Sequence, residues 1–476
     1  MEVDAETLFN YLGKRYEDAY ADSPHLHEVV RLALSHLRPH SRVLDVGCGT
    51  GKPVADMLSR AGHQVHGIDI AENMVQIAQS QIPSGTFTKA DMRVYEPPTL
   101  GEGRGGGMDA VFAVFSLFQI SPSDTYHMAF RFAEWLADDG VLVVGFSPTS
   151  VLEPGQGEYD EVWGCVRGVS KPWMTRQTRE TFLSEERWRE VLREAGFSVL
   201  DERAFRFTPR DSEHTVVEEH RCIIAKRSGL RPLLGPHPLP RGRAVREIVD
   251  QKSWKALQGR LVVEDGQGQI SRIGHTLALG AGLSAFFKGA SSPAAEVLVD
   301  LPQTLPFEDS KFDGVLSMLT LDFVPSLEQA LSELIRVTNS SSPNATITIV
   351  QGAPNDEVTK LLNTLCLPLA AAGSEPIHQG YLLQCASEVL AQKGFADISL
   401  QRVRAHYVFD VPDAIEQAAD EISGFLYRED NSHGKMKEAM RPHLQHLFEE
   451  HPGVLRNDLV MLVARPARNG VCANGR

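Results

Sequence analysis

The run Val43-Leu44-Asp45-Val46-Gly47-Cys48-Gly49-Thr50-Gly51 constrains this chain more than any other stretch. An apolar β-branched run stops at alternating glycines and resumes as Pro53-Val54-Ala55-Asp56-Met57-Leu58, which predicts a strand, a tight turn and a helix. Glycines at alternate positions keep Cβ atoms away from whatever lies against the backbone there. A dinucleotide turn needs its third glycine where this chain has Lys52, and a phosphate-cradling loop needs glycine where it has Val46. The turn therefore suits a nucleoside-type ligand that carries no phosphate.

Two further strands end in acids. Gln64-Val65-His66-Gly67-Ile68-Asp69 places a carboxylate where it accepts both ribose hydroxyls at the edge of a parallel sheet, and Thr86 to Met92 places Asp91 where an adenine amino group lies. The segments VLDVGCGTG, GIDIAENMVQIAQ and KADM together resemble the first, second and third motifs of class I SAM-dependent methyltransferases. The resemblance implies S-adenosyl-L-methionine (SAM) as cofactor. It places cofactor contacts at Asp45, Gly47, Cys48, Gly49 and Gly51, at Asp69, Ile70 and Met74, and at Asp91 and Met92. The competing readings are a ligand-free βαβ unit and an NAD site; Asp69 is common to the NAD and SAM sites, and the glycine spacing separates them.

Helical periodicity runs from Leu8 to Leu37, and Pro24 divides it into two predicted helices. In the family resembled, a leading helix folds over the cofactor as a lid, which nominates Tyr11, Tyr16 and Tyr20 against plain packing of an amphipathic helix. Gly101 to Gly107 reads as a loop, and Met108 to Phe115 as a buried strand whose edge, at Phe115, lines the reaction pocket. A helix over His127–Leu136 and a strand over Gly140–Phe146 follow. Pro154 to Phe182 carries Tyr159, Trp163, Trp173 and Met174, and in the family resembled this is where substrate-shaping insertions occur; those aromatics suit core packing or an amine-bearing or aromatic acceptor. A helix over Glu185–Ala195 and strands at Phe197–Leu200 and Arg221–Ala225 complete a seven-stranded sheet.

A chain of 476 residues exceeds what one core organises. Pro232, Pro236, Pro238 and Pro240 mark an extended linker. The expected layout is a methyltransferase domain over 1–227, a linker over 228–244, a second domain over 245–466 and a flexible tail. The second half repeats the first: Asp313 to Leu321 parallels Asp109 to Leu117, Glu388 to Phe395 echoes Glu190 to Phe197, and Leu459 to Ala464 echoes the closing strand. The fold class is therefore α/β with two Rossmann-like domains. The second is read as degenerate, because its best counterpart of the turn, Leu261 to Ile270, has Ile270 at the third glycine position and no acid-ended strand follows before Val297.

The formal charge of −15 argues against a nucleic-acid partner, and no segment reaches membrane-spanning length. The six cysteines form no paired spacing, so the chain reads as cytoplasmic and reduced. His443 and His446 stand at metal-ligand spacing on a predicted helix, but a solvated face explains them and no metal site is assigned. The expected acceptor is a small molecule. A likeness in layout to tandem enzymes of fungal secondary metabolism suggests N-methylation of a peptide-derived compound. An acceptor hydroxyl requires a base, for which His127 and His220 are candidates. The rival reading is a non-catalytic partner subunit that keeps the fold, and aminopropyl transfer is a third use of the same motifs.

Overall fold

Gly13, at φ +50°, breaks the leading helical run, and a Cβ there would lie 2.7 Å from Asn73 Nδ2. The segment read as two helices is three: α1 (Ala5–Leu12), α2 (Lys14–Tyr20) and α3 (Pro24–Leu34). Asp4 caps α1 by accepting from the Thr7 amide, and Ser23 caps α3 by accepting from the Leu26 amide. The computed structural model describes residues 3–98, 107–174, 176–210, 217–229, 231–240, 246–264, 275–280, 283, 295–298 and 302–467. The chain divides into two units, Met1–Pro232 and Leu233–Arg476.

The first unit continues with β1 (Arg42–Val46), α4 (Val54–Arg60), β2 (Gln64–Asp69), α5 (Glu72–Gln81), β3 (Thr86–Lys89), β4 (Met108–Val114), α6 (Pro122–Trp135) and β5 (Leu136–Phe146). Three short strands, β6 (Glu158–Asp160), β7 (Cys165–Trp173) and β8 (Arg176–Leu183), form their own antiparallel sheet. Helix α7 (Glu185–Glu194), β9 (Phe197–Phe207) and β10 (Glu218–Arg227) close the unit. The main sheet runs β3-β2-β1-β4-β5-β10-β9. Val43, Leu44, Val46, Phe112 and Val143 are all fully buried, as expected of parallel strands covered on both faces. Strand β10 is antiparallel to β5 and β9, so its first residues stand at the same edge as the last residues of β1, β2 and β4.

The second unit contains α8 (Gln251–Gly259), β11 (Leu261–Val263), β12 (Thr276–Leu279), β13 (Ala295–Leu298), β14 (Gly314–Met318), α9 (Leu327–Val337) and β15 (Thr346–Gly352). It continues with α10 (Glu357–Leu361), α11 (Gln379–Gln392), β16 (Phe395–Val403), β17 (Ala405–Val408), α12 (Ala414–Tyr427), α13 (His433–Glu450), β18 (Val454–Arg456) and β19 (Leu459–Pro466). Its main sheet has the order β13-β12-β14-β15-β19-β16, with β19 antiparallel between β15 and β16.

Two expectations are corrected here. The segment read as an extended linker is partly folded into the second unit: Leu234 is buried in its core and Leu239 packs against that core, because the prolines alternate with leucines. The proposed counterpart of the glycine turn is misplaced. Leu261–Val263 pairs antiparallel with β17 in a small separate sheet, and Asp265 to Ile270 lie outside the described residues. The first-strand position belongs to β12, which pairs with β14 as β1 pairs with β4. In that register Ala278 stands where β1 has Asp45, and Gly280 stands where it has Gly47.

The repeat has a physical basis at two positions. The Asp109 carboxylate accepts from the Arg42 amide at 2.8 Å, and the Asp313 carboxylate accepts from the His275 amide at 3.0 Å, so each acid locks the start of its own unit's first central strand. Phe115 and Leu319, each just past the fourth-strand position, both take a left-handed backbone at φ +58° and +53°.

Candidate cofactor and acceptor site

The glycine turn is stitched to the neighbouring strand. The amides of Gly47 and Cys48 both donate to the Ile68 carbonyl, and Gly51 donates to the Cys48 carbonyl. Asp69 Oδ2 accepts from the Gly49 amide and Oδ1 from the Ala71 amide, both at 2.9 Å. Gly47 and Gly49 are left-handed, at φ +69° and +53°. A Cβ on Gly47 would lie 2.3 Å from Ser116 Cβ, whereas one on Gly49 would meet only Tyr16, at 3.5 Å.

Against this turn lies a cavity of about 470 Å³. Its wall contains Gly47, Gly49, Asp69, Ile70, Asp91, Met92, Phe115, Tyr16 and Tyr20. Four other nominated residues stand behind the turn instead. Asp45 is buried beneath it, Cys48 faces the core near Phe87 and Gly67, Gly51 backs onto Ala78 of α5 and Ile82 just past its end, and Met74 is fully buried on α5. Side chains of a strand alternate between faces, and those of the adjoining turn point back into the sheet, so residues contiguous in a motif do not all reach the ligand. Tyr11, nominated with the lid, is half exposed beneath the Arg176 guanidinium and is absent from the wall.

Burial raises the carboxyl of Asp69 above its ordinary range despite the Ala71 and Gly49 amides. Asp45 is pushed up to about 7, by burial first and then by the charge of Asp69. Asp91 is engaged by Arg93, which donates from Nε at 3.0 Å and from a terminal nitrogen at 2.6 Å.

The far side of the cavity is aromatic and acidic. Tyr16 and Tyr20 stack at 5.1 Å, and Trp173 packs on both. Glu218 Oε1 accepts from the Tyr20 hydroxyl at 2.8 Å and from Trp173 Nε1 at 3.3 Å, while Oε2 is 2.9 Å from His220 Nε2. Burial works against this carboxylate, but the His220 ring and the Tyr20 hydroxyl hold it below its ordinary range. Lys171 and Glu180 form a second pair, at 3.0 Å. Ser116 Oγ and Gln119 Oε1 are buried in the wall without hydrogen-bond partners among the described residues.

Sequence reasoning nominated Trp173 but not Glu218, Lys171, Glu180 or Gln119. The signal for one pair was present: Glu218 and His220 are two apart at the start of a strand, and so share a face. The other insertion aromatics go elsewhere. Trp163 is buried against Tyr126, Met174 is buried, and Tyr159 is exposed. His127 is buried on α6, with Nδ1 2.8 Å from the Ser123 carbonyl, and does not line the cavity. His443 and His446 lie on α13, and no group of metal-ligating side chains occurs among the described residues.

Two methyltransferase-domain family models match the chain, over residues 43–140 and 283–342. The chain belongs to the class I SAM-dependent methyltransferases. It carries tandem methyltransferase domains, and SAM is its cofactor. A trans-aconitate 2-methyltransferase from Afipia carboxidovorans is 25% identical to this methyltransferase over 228 residues, covering 46% of this chain and 80% of the relative. A dTDP-3-amino-3,4,6-trideoxy-alpha-D-glucopyranose N,N-dimethyltransferase from Streptomyces venezuelae is 29% identical over 147 residues, 30% of this chain and 57% of that protein. A solved magnesium protoporphyrin IX methyltransferase from Synechocystis PCC 6803 is 22% identical, covering 47% of this methyltransferase and 98% of its own chain, with a TM-score of 0.32. The described residues hold no helix long and apolar enough to cross a membrane.

Proposed function

We propose that the first unit of this methyltransferase methylates a small-molecule acceptor at nitrogen, and that the cavity against the glycine turn holds both cofactor and acceptor. The observation that carries this reading is the joining of two unlike walls in one cavity: a glycine-and-acid wall on β1 and β2, and an aromatic, carboxylate-bearing wall on α2, β7, β8 and β10. The cavity volume falls in the range of small-molecule sites, roughly 300–1,000 Å³.

The residues fit SAM. Gly47 and Gly49 leave a turn without side chains, and each Asp69 oxygen, although bonded to one amide, keeps a lone pair for a ribose hydroxyl. Tyr16 covers the turn at Gly49. SAM supplies a methyl group on a sulfonium, whose S–C bond pair returns to sulfur as the methyl leaves. The protein's task is then to align the acceptor and exclude water, and the stacked Tyr16, Tyr20 and Trp173 serve both.

The second wall favours an amine over a carboxylic acid. It presents Glu218 and the unpartnered Gln119 Oε1, both hydrogen-bond acceptors, while Lys171 and Glu180 are paired with each other. An anionic acceptor would meet the Glu218 carboxylate, whereas an amine finds acceptors and aromatic faces. The amino-sugar N,N-dimethyltransferase among the relatives is in keeping with this, and so is a peptide-derived secondary metabolite as the natural acceptor. Labelled methyl transfer from SAM to a panel of small amines, phenols and carboxylic acids tests the reading. Transfer to amines is expected; transfer confined to carboxylic acids overturns it.

A further inference from the structure

We propose that His220 is the proton acceptor in methyl transfer, held as its Nε2–H tautomer by Glu218 so that Nδ1 serves as the base. This rests on the reading of the cavity as the methylation site.

Three observations converge. The Nε2 nitrogen is 2.9 Å from Glu218 Oε2, a carboxylate oxygen that only accepts, so Nε2 carries the hydrogen. Among the described residues nothing hydrogen-bonds Nδ1, although the ring lines the cavity. The ring is fixed from two sides: Phe115 lies 4.3 Å away between centroids, and Phe205 meets it edge-on at 5.4 Å. Phe115 reaches that place through its left-handed backbone, a strained conformation for a side chain that the surroundings must enforce.

Glu218 is the positioning residue. Tyr20 from α2 and Trp173 from β7 both donate to its other oxygen, so its carboxylate cannot rotate away from His220 without breaking two hydrogen bonds. The ionisable groups on this wall are Glu218 on the same strand, Tyr16 and Tyr20 on α2, Lys171 on β7 and Glu180 on β8; the neighbours from β9 and from just past β4 are the uncharged Phe205 and Phe115. This is the arrangement by which a carboxylate fixes the tautomer of a catalytic imidazole and stabilises the imidazolium that forms.

The step balances. The acceptor's ammonium group passes one proton to Nδ1, which gives imidazolium beside the Glu218 carboxylate and frees the nitrogen lone pair. The nitrogen lone pair forms the new bond to carbon as the old S–C pair returns to sulfur. The proton then leaves to solvent as the product departs. Of the two histidines nominated from sequence, His127 lies outside the cavity.

The test has two arms. In the first, 15N-histidine NMR is recorded on the full chain with S-adenosylhomocysteine, and the His220 signals are identified by their loss in His220→Gln. An Nε2–H tautomer is expected at neutral pH, and an Nδ1–H tautomer overturns the proposal. Glu218→Gln, whose amide can donate to Nε2, is expected to shift the ring toward Nδ1–H. In the second arm, labelled SAM is used with the best acceptor of the amine panel. His220→Gln should lower kcat by about 10²–10⁴, remove the acid limb of the pH profile and leave SAM affinity by calorimetry within about twofold. A variant with an unchanged kcat and pH profile overturns the proposal. Failure of the wild type to bind SAM counts instead against the function proposed above, and the tautomer is then read on the chain without S-adenosylhomocysteine.

Discussion

Tyr20 donates its phenolic hydrogen to Glu218 Oε1 across 2.8 Å and thereby ties a leading helix to a strand 198 residues further on. The bond joins two cavity-lining groups, so it sets how firmly α2 closes over the glycine turn. Tyr20→Phe removes it while keeping the ring stack on Tyr16. A hydrogen bond to a charged group is worth about 1.5–3 kcal/mol. SAM affinity should fall roughly tenfold, and limited proteolysis should cut the first twenty residues sooner. Unchanged affinity and protease resistance would show that the helix is held by packing alone.

Asp69→Ala should weaken SAM binding by about one to two decades, the equivalent of losing a charged acceptor. The same change frees the Gly49 and Ala71 amides, so some loss of thermal stability is expected with it. Calorimetry and melting measured together separate the two effects. An affinity equal to wild type in a folded variant would assign the ribose to another acid.

The two turn glycines should not be equivalent. Gly47→Ala drives a methyl into Ser116, whereas Gly49→Ala bears mainly the cost of a left-handed alanine, roughly 1–2 kcal/mol. Thermal melting should rank Gly47→Ala as clearly the worse, and adding Ser116→Gly should recover part of its loss. The reverse ranking would mean that the turn relaxes away from Ser116.

Asp45 gives a signed pH dependence. Its carboxyl titrates near 7 in the fold against 3.8 ordinarily. Between those values the folded chain holds a proton that the unfolded chain has released, so stability falls as pH rises from about 4 and the loss is complete above about 7. Asp45→Asn should flatten this slope in melting curves across that window. A slope unchanged by the substitution would place its origin elsewhere.

One SAM should bind per chain. The second unit has Ala278 at the register position of Asp45. Isothermal titration should give a stoichiometry near one, and Asp69→Ala should weaken that single transition. Two equivalent sites would refute the assignment.

The glycine turn, its acid-ended strands and the doubling of the fold were legible because local backbone demands write themselves into neighbouring residues. Gly47 and Asp69 stand at fixed intervals in the sequence for that reason. The acceptor wall was less legible. Trp173, Glu180 and Glu218 come from three strands, and their meeting is a property of topology that no spacing encodes. Asp45 and Met74 belong to the motifs but are buried: the alternation of faces along β1 turns Asp45 inward, and Met74 lies on the packed face of α5. The second turn was misplaced because Leu261–Val263 is as apolar and β-branched as a central strand, although its partner is β17.

The reversed direction of β10 carries a consequence for how such a molecule changes over time. Glu218 and His220 enter the cavity from the beginning of a strand, and Trp173 enters from an inserted sheet, while the glycine turn is built by β1 and β2 on the other side of β4. On the proposed function, donor recognition and acceptor choice are therefore written on separate stretches of chain. On that reading a mutation in β7 can retarget the enzyme while the cofactor turn stays intact, which makes that segment the place to begin a directed-evolution library.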